Sequence, residues 1–449
     1  MRKIVIAPVI VALLALNVFA EKAWAEESAL SVDQDLALGV GVDRQRTFKP
    51  TEGSTNSDLF GTAGGYIHPF VSLFETYSDN IYNTLDATKN DLITTISPGI
   101  ALSYPGRKDI PGSTFATSNV SPGGLLATRK RVDYFQRTQS SLVYQADVEK
   151  YSENTQADQT HHRLEGLVQF NLKSGITLDF AGEYKKSTDS PSNAPSRSEF
   201  ASRMVDFAAY ADLGRKFTFA LDASTFYVDY DLAINRLLDH KDRAYSASLH
   251  YKIGEYTSTS ATYRISKVDY DLSDLTDKDI RDIGLGLNWD ITAKSSGSLE
   301  AGYEVISEPN KGNNDSSDMT FRFLMAHKFS PRSSLNLSAA RRINESTVVG
   351  SSTVLNHQGS AGYTQGFGPK FFVHLNLSYS EDSYDKPIVT TNGSVSRKDY
   401  TLLLSPSLDY KTKDWFVFSA IYSYANLNSN IDSYDFKTNT YILRLTAYL

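Results

Sequence analysis

Fourteen charged residues carry the most chemistry in this sequence: Arg163, Glu165, Asp179, Glu183, Asp206, Asp212, Asp222, Arg264, Asp282, Glu300, Glu304, Arg322, Arg342 and Arg444. Each sits in a short segment where polar and apolar residues alternate. Burying so many isolated charges in a dry core would be prohibitive, so they need water or cross-strand partners around them. Such a set suits a wetted, ion-contacting wall, and they are the candidate pore-lining residues. Acids outnumber bases among them, which predicts a weak preference for cations, or indifference to neutral sugars. Asp147, Glu149, Asp409, Lys185 and Lys328 are further charges of the same kind.

Catalytic and metal chemistry find little to work with. Cysteine is absent, which removes disulfides, thiolate metal sites and cysteine nucleophiles together. His161 and His162 are neighbours, and adjacent residues of a strand point to opposite faces. His250 and His374 fall near Ser246, Ser248 and Ser378, but no motif marks a serine as a nucleophile. There is no phosphate-binding loop, dinucleotide fingerprint or zinc motif. The sequence predicts no enzyme, no metal and no cofactor. A net charge of -7 argues against a nucleic-acid partner.

Strands must hold the charged residues. In 176–186, Ile176, Leu178, Phe180 and Tyr184 share one face, and Thr177, Asp179, Glu183 and Lys185 share the other. Segments 203–213, 279–291 and 317–329 repeat the pattern. Eighteen such segments run from Tyr66 to Leu449, among them 66–77, 91–104, 132–151 and 437–449. Their connections alternate in length. Short ones such as Lys173-Ser174-Gly175 and Gly214-Arg215-Lys216 alternate with long polar ones near 187–202, 231–242 and 381–395. This describes an all-β fold, an up-and-down transmembrane antiparallel β-barrel with turns and both termini in the periplasm and loops outside. A charge facing lipid at mid-bilayer costs about 2–4 kcal/mol, so the apolar face must be the outer one. Tyr104, Phe217, Trp289, Phe329, Phe371, Tyr410 and Trp415 fit an interfacial girdle. A soluble two-layer sandwich alternates too, with its apolar face inward. The two-sided loop asymmetry, the strand count and the features of the chain ends favour the barrel.

Those ends frame the barrel. Residues 1–25 read as a signal peptide: Arg2 and Lys3 precede an apolar run, and Ala23-Trp24-Ala25 is a cleavage site. Removing it takes the net charge to -9. Residues 26–64 read as a periplasmic tail and 65–449 as the barrel. The last strand, Tyr441 to Leu449, carries Tyr441, Leu443, Leu445, Ala447 and Leu449 on one face and is expected to pair with the first. Residues 105–131 are a Pro/Gly/Ser-rich insertion where a short turn is expected. They read as an unstructured insertion, a lumen plug or a docking loop. Val228-Asp229-Tyr230-Asp231-Leu232 recurs 40 residues later as Val268-Asp269-Tyr270-Asp271-Leu272, a repeat unit of one hairpin.

The first hairpin is more specific. Glu75-Thr76-Tyr77-Ser78-Asp79-Asn80-Ile81-Tyr82 is followed by Asp91 to Ile100 with Ser97-Pro98-Gly99, and Leu404-Ser405-Pro406-Ser407-Leu408 echoes the latter. This opening resembles that of the Putative beta-barrel porin 2 family. The resemblance implies an outer-membrane porin, and the family's frequent place beside exopolysaccharide genes implies a passive conduit for polysaccharide export. A general diffusion or nutrient-uptake porin and a structural or adhesive surface barrel are the alternatives. Expected partners are outer-membrane lipid and lipopolysaccharide, with polysaccharide and a periplasmic export component under the export reading.

Overall fold

The structure is a computed structural model. It describes residues 65–448, apart from most of 107–136 and parts of the connections at 190–197, 232–238, 273–276, 293, 310–315, 346–352, 386, 391–392 and 414. The signal-peptide and tail expectations, and nearly all of the 105–131 insertion, lie outside the described residues.

Eighteen antiparallel strands close into one barrel. In chain order they are β1 Ile67–Ser78, β2 Asp91–Tyr104, β3 Thr138–Tyr151, β4 Gln159–Asn171, β5 Ile176–Asp189, β6 Ser198–Leu213, β7 Phe217–Tyr230, β8 His240–Lys252 and β9 Thr257–Tyr270. There follow β10 Lys278–Thr292, β11 Ser295–Ser307, β12 Ser316–Ser330, β13 Ser333–Glu345, β14 Thr353–Phe367, β15 Phe371–Tyr384, β16 Lys398–Lys413, β17 Phe416–Ser429 and β18 Phe436–Tyr448. Every strand pairs with its sequence neighbours, and β1 also pairs with β18, Phe70 opposite Tyr448 through Ser78 opposite Thr440. Full closure leaves no edge strand with unpaired backbone groups, which a bilayer would not tolerate.

Alternation decides what each face meets. Leu285, Ile283, Val205, Tyr245 and Leu443 are more than half exposed, and the register puts all of them on the outside. The partnered residues one step along face inward and are covered, among them Ala101, Asp179, Asp206 and Ser419. A soluble sandwich would show the reverse, so the two-layer alternative falls. Phe217, Phe329, Phe371 and Trp415 are exposed beside the short turns, and Tyr104 at the same end beside the 105–131 insertion, where a girdle belongs. Those turns are tight because glycine takes the left-handed backbone: Gly175 has φ 77° and Gly214 has φ 74°.

Several boundaries differ from the sequence reading. The 187–202 loop is shorter, because β5 and β6 continue pairing through Asp189 opposite Ser198. The ladder of β3 starts at Thr138 and not at 132, and 131–136 lie outside the described residues. The 381–395 loop contains a small hairpin, Ile388–Thr390 against Gly393–Val395. At 187–202 and 381–395 backbone pairing extends into polar sequence that alternation does not mark.

Candidate functional site

The register brings all fourteen candidate charges to the inner face. Glu165 stands opposite Glu183, Ala181 opposite Asp206, and Ala208 opposite both Asp179 and Asp222. Asp222 and Arg264 both stand opposite Ser246, and Arg264 also opposite Asp282. Asp282 faces Glu304, Glu300 faces Arg322, Arg342 faces Asn356, and Arg444 faces both Ser419 and Phe74. Asp212, opposite Thr218, lies at the turn end of β6. Most of the others sit near the middle of their strands.

Pairing makes this wall stable. Like charges directly opposite each other destabilise a sheet, so Glu165 and Glu183 need a cation. Arg163 supplies it, 2.7 Å from Glu165 and 3.2 Å from Glu183. Arg322 lies 3.7 Å from Glu300, Arg444 donates to Ser419 Oγ at 3.0 Å, and Thr218 donates to Asp212 at 2.7 Å. Glycines make room for the longer side chains. A Cβ at Gly284 would stand 3.3 Å from Glu300 Oε1, and one at Gly302 would crowd Thr320 at 2.6 Å.

The charges are unevenly spread. Glu165, Asp179, Glu183, Asp206, Asp212 and Asp222 occupy β4 to β7, with Arg163 and Lys185 among them. Arg322 and Arg342 are on β12 and β13, which stand across the ring from β3 and β4. Of the acidic arc only its β4 edge, with Glu165, therefore stands across from these arginines; β5 to β7 stand across from β14 to β16, which carry Asp382, Asp399 and Asp409.

Three features of the inner face escape a reading of the sequence. Leu167, Ala181, Phe200, Met204, Phe226, Val228 and Tyr230 form an apolar cluster inside the barrel toward the loop end. Arg397 is fully buried, pairs with Asp399 at 2.6 Å, and stacks on Tyr434 at 3.6 Å and Tyr384 at 4.8 Å. Its signal in sequence is only an arginine two residues before an aspartate at a strand start. The third is His374, between Thr364 Oγ1 at 3.0 Å and Asp409 at 3.2 Å. That order of hydroxyl, imidazole and carboxylate is shared with hydrolases. Here Thr364 sits inside β14, with both neighbouring strands paired to it. Its surrounding amides are tied up in the ladders and cannot turn to hold an oxyanion.

The adjacent histidines separate as strand geometry requires. His161 lies inward, 3.5 Å from Glu149, and His162 outward, 3.0 Å from the Tyr144 hydroxyl. Among the described residues no group of three His, Cys, Asp or Glu is placed to hold a metal ion.

The opening motif has a structural explanation. Asp79 accepts from the Asn439 backbone at 2.7 Å and from its side chain at 2.7 Å. Asn80, almost fully buried, donates to the carbonyls of Thr84 at 2.8 Å and Lys437 at 3.1 Å. Ile81 packs with Ile93 and Tyr151. The motif thus ties the first loop to the last strand and to β2 and β3.

Solved structures similar to this chain include OpdK of Pseudomonas aeruginosa with vanillate, at 10% identity and a TM-score of 0.45, covering 86% of this chain and 100% of that one. OccAB4 of Acinetobacter baumannii is similar at 11% identity and 0.44, covering 86% and 100%. Pseudomonas aeruginosa OpdQ follows at 12% and 0.44, covering 85% and 99%. No curated protein matches the sequence. The model of the family described as Putative beta-barrel porin 2 matches residues 131–448, most of the chain and all but two strands of the barrel. With its closed eighteen-stranded barrel and apolar belt, the chain belongs to the Putative beta-barrel porin 2 family and is an outer-membrane β-barrel porin.

Proposed function

We propose that the protein is a passive, non-enzymatic diffusion channel for small polar and charged solutes, lined by the fourteen inward charges. The observation that carries this reading is the uneven ring of inward charge, with acids gathered on β4 to β7 and Arg322 and Arg342 on β12 and β13. Charges spread unevenly around a wet bore set up a transverse field. That field orients dipolar solutes and favours one sign of ion without binding it tightly. An excess of acids gives a cation preference. A conduit for polysaccharide has less support, because it rests on the gene neighbourhoods of relatives and on no feature of this wall. A neutral sugar chain has no use for an uneven ring of charge.

Purified protein in a planar bilayer tests the proposal. Ohmic single-channel current is expected, and a potassium chloride gradient should give a reversal potential of cation-preferring sign. Absence of current from correctly folded protein would sink the proposal.

A further inference from the structure

Five cations lie together on the outside of the barrel near its long-loop end: Arg203 on β6, Lys241 and Arg243 on β8, Lys267 on β9 and Arg281 on β10. Their register neighbours are in contact range. Tyr227 lies between Arg203 and Lys241, Lys267 is directly opposite Arg243, and Arg281 is opposite Ile265, two residues from Lys267. All five share the face of Val205, Tyr245, Tyr263, Ile283 and Leu285, the exposed apolar belt just below them. They therefore point at the membrane and not into the bore.

Charge balance within the patch is incomplete. Asp269 pairs with Arg243 and, at 2.6 Å, with Lys267. Lys241 lies 4.7 Å from the centre of the Tyr227 ring. Arg203 and Arg281 are exposed and make no ion pair among the described residues. With Asp279 opposite Lys267 and Asp277 also within electrostatic reach of it, three carboxylates lie among five cations, and Asp229 stands above them at the tip of β7. Placing Arg243 directly opposite Lys267 costs stability unless anions come between them. Charges on a barrel's outer face are tolerated only near the interface, so the patch lies at the level of lipid headgroups. On the far side, β15 to β18 present Tyr379, Tyr400, Tyr422 and Tyr441 at about this level, with Lys398 and Lys437 only at the strand tips. The cation arc is local.

We propose that Arg203, Lys241, Arg243, Lys267 and Arg281 form a binding site for the phosphate groups of an outer-leaflet phosphorylated glycolipid of the lipopolysaccharide class. Acyl chains would lie along Val205, Ile283 and Leu285, and Asp269, bridging Arg243 and Lys267, would compete with phosphate for them. The site rests on the outer-membrane location with the long loops outside, and does not depend on what passes through the bore.

Full-length protein in lipopolysaccharide-free detergent tests this by native mass spectrometry with purified lipopolysaccharide. The probe is repeated after enzymatic dephosphorylation, with phosphatidylglycerol, and with inorganic phosphate as competitor. Wild-type protein is expected to retain the phosphorylated glycolipid. K241Q/R243Q/K267Q/R281Q should bind it at least tenfold more weakly, and the dephosphorylated lipid should bind wild type no better than that. R281Q alone, outside any internal ion pair, should weaken binding severalfold, and D269N should tighten it. Equal binding by wild type and the quadruple variant, equal retention of phosphatidylglycerol, or displacement by millimolar phosphate would each overturn the site. Unchanged conductance of the variants shows the barrel intact. Lost lipid binding with normal current in wild type counts against the site alone, and lost current with normal binding against the channel alone.

Discussion

Single residues carry the closure of this barrel. Asn80 spends its side-chain amide on the carbonyls of Thr84 and Lys437. Asn80→Ala strands buried polar groups, a loss of about 1–3 kcal/mol. It should lower the urea midpoint of detergent-solubilised protein, followed by the gel shift between folded and unfolded forms. Asp91 is equally occupied: it accepts from the amides of Ser152 at 3.0 Å, Glu153 at 3.1 Å and Asn154 at 2.8 Å. Asp239, in the connection before β8, behaves differently. Burial pushes its carboxyl up, helped by Asp229 and Asp271, although the Tyr230 amide donates to it at 2.6 Å. A folded-state value above the unfolded one means the charged form is the less welcome in the native loop. Stability gained from its protonation grows as pH falls through the raised value and is lost above it. D239N keeps the acceptor and removes the charge. It should slow amide exchange at Tyr230 at neutral pH and flatten its pH dependence. The tyrosine-aspartate-asparagine motif is legible in the sequence as a resemblance, but its work is not: the partners of Asp79 and Asn80 lie some 360 residues away, beyond any local pattern.

Elements are easier to read, because strand period and lipid contact act on the same residues. All eighteen strands are visible as alternation, since a two-residue period with one apolar face needs no distant partner. Their ends are not, because ladder bonds continue into loop sequence where neither face meets lipid. One rule for those ends emerges from the structure. The last amide of an ascending strand donates to the aspartate just before the next strand: Tyr151 to Asp158 at 2.9 Å, Tyr230 to Asp239, Tyr270 to Asp277 at 3.1 Å, and Ser429 to Asp435 at 2.6 Å. The repeated Val-Asp-Tyr-Asp-Leu segment includes two of these donors, Tyr230 and Tyr270. The acidity of the loops is thus partly backbone capping. Faces of a strand should also separate by mutation. Leu285→Arg, on the membrane side, should cost about 2–4 kcal/mol by the barrel scale and reduce insertion. Ser248→Arg, on the inner side, should leave folding near wild type and alter current instead. Unfolding in liposomes measures the first and bilayer recording the second.

For the whole molecule, the arrangement of charge around the ring matters more than its total. Arg322→Gln with Arg342→Gln removes the inward arginines of β12 and β13 and should shift the reversal potential further toward cations. Glu165→Gln with Glu183→Gln should shift it back, while leaving Arg163 with less to hold. The sequence marks which charges share the inner face, but not which of them stand opposite each other, because the cross-strand register fixes that: Asp282 comes to face Glu304, and Glu300 faces Arg322.

The join between β1 and β18 is held unevenly. Asp79, Asn80 and the hydrogen bond from Thr438 to Asn83 at 2.8 Å all lie at its loop end, while the turn end has ladder bonds and, further in, the Ser72–Thr446 contact at 2.9 Å. A clasp fastened on one side gives way from the other. Under heat or force, Phe70 and Tyr448 should part first, and the tear should travel past Ser72 and halt at Asn80, so that the cylinder unzips toward the cell exterior.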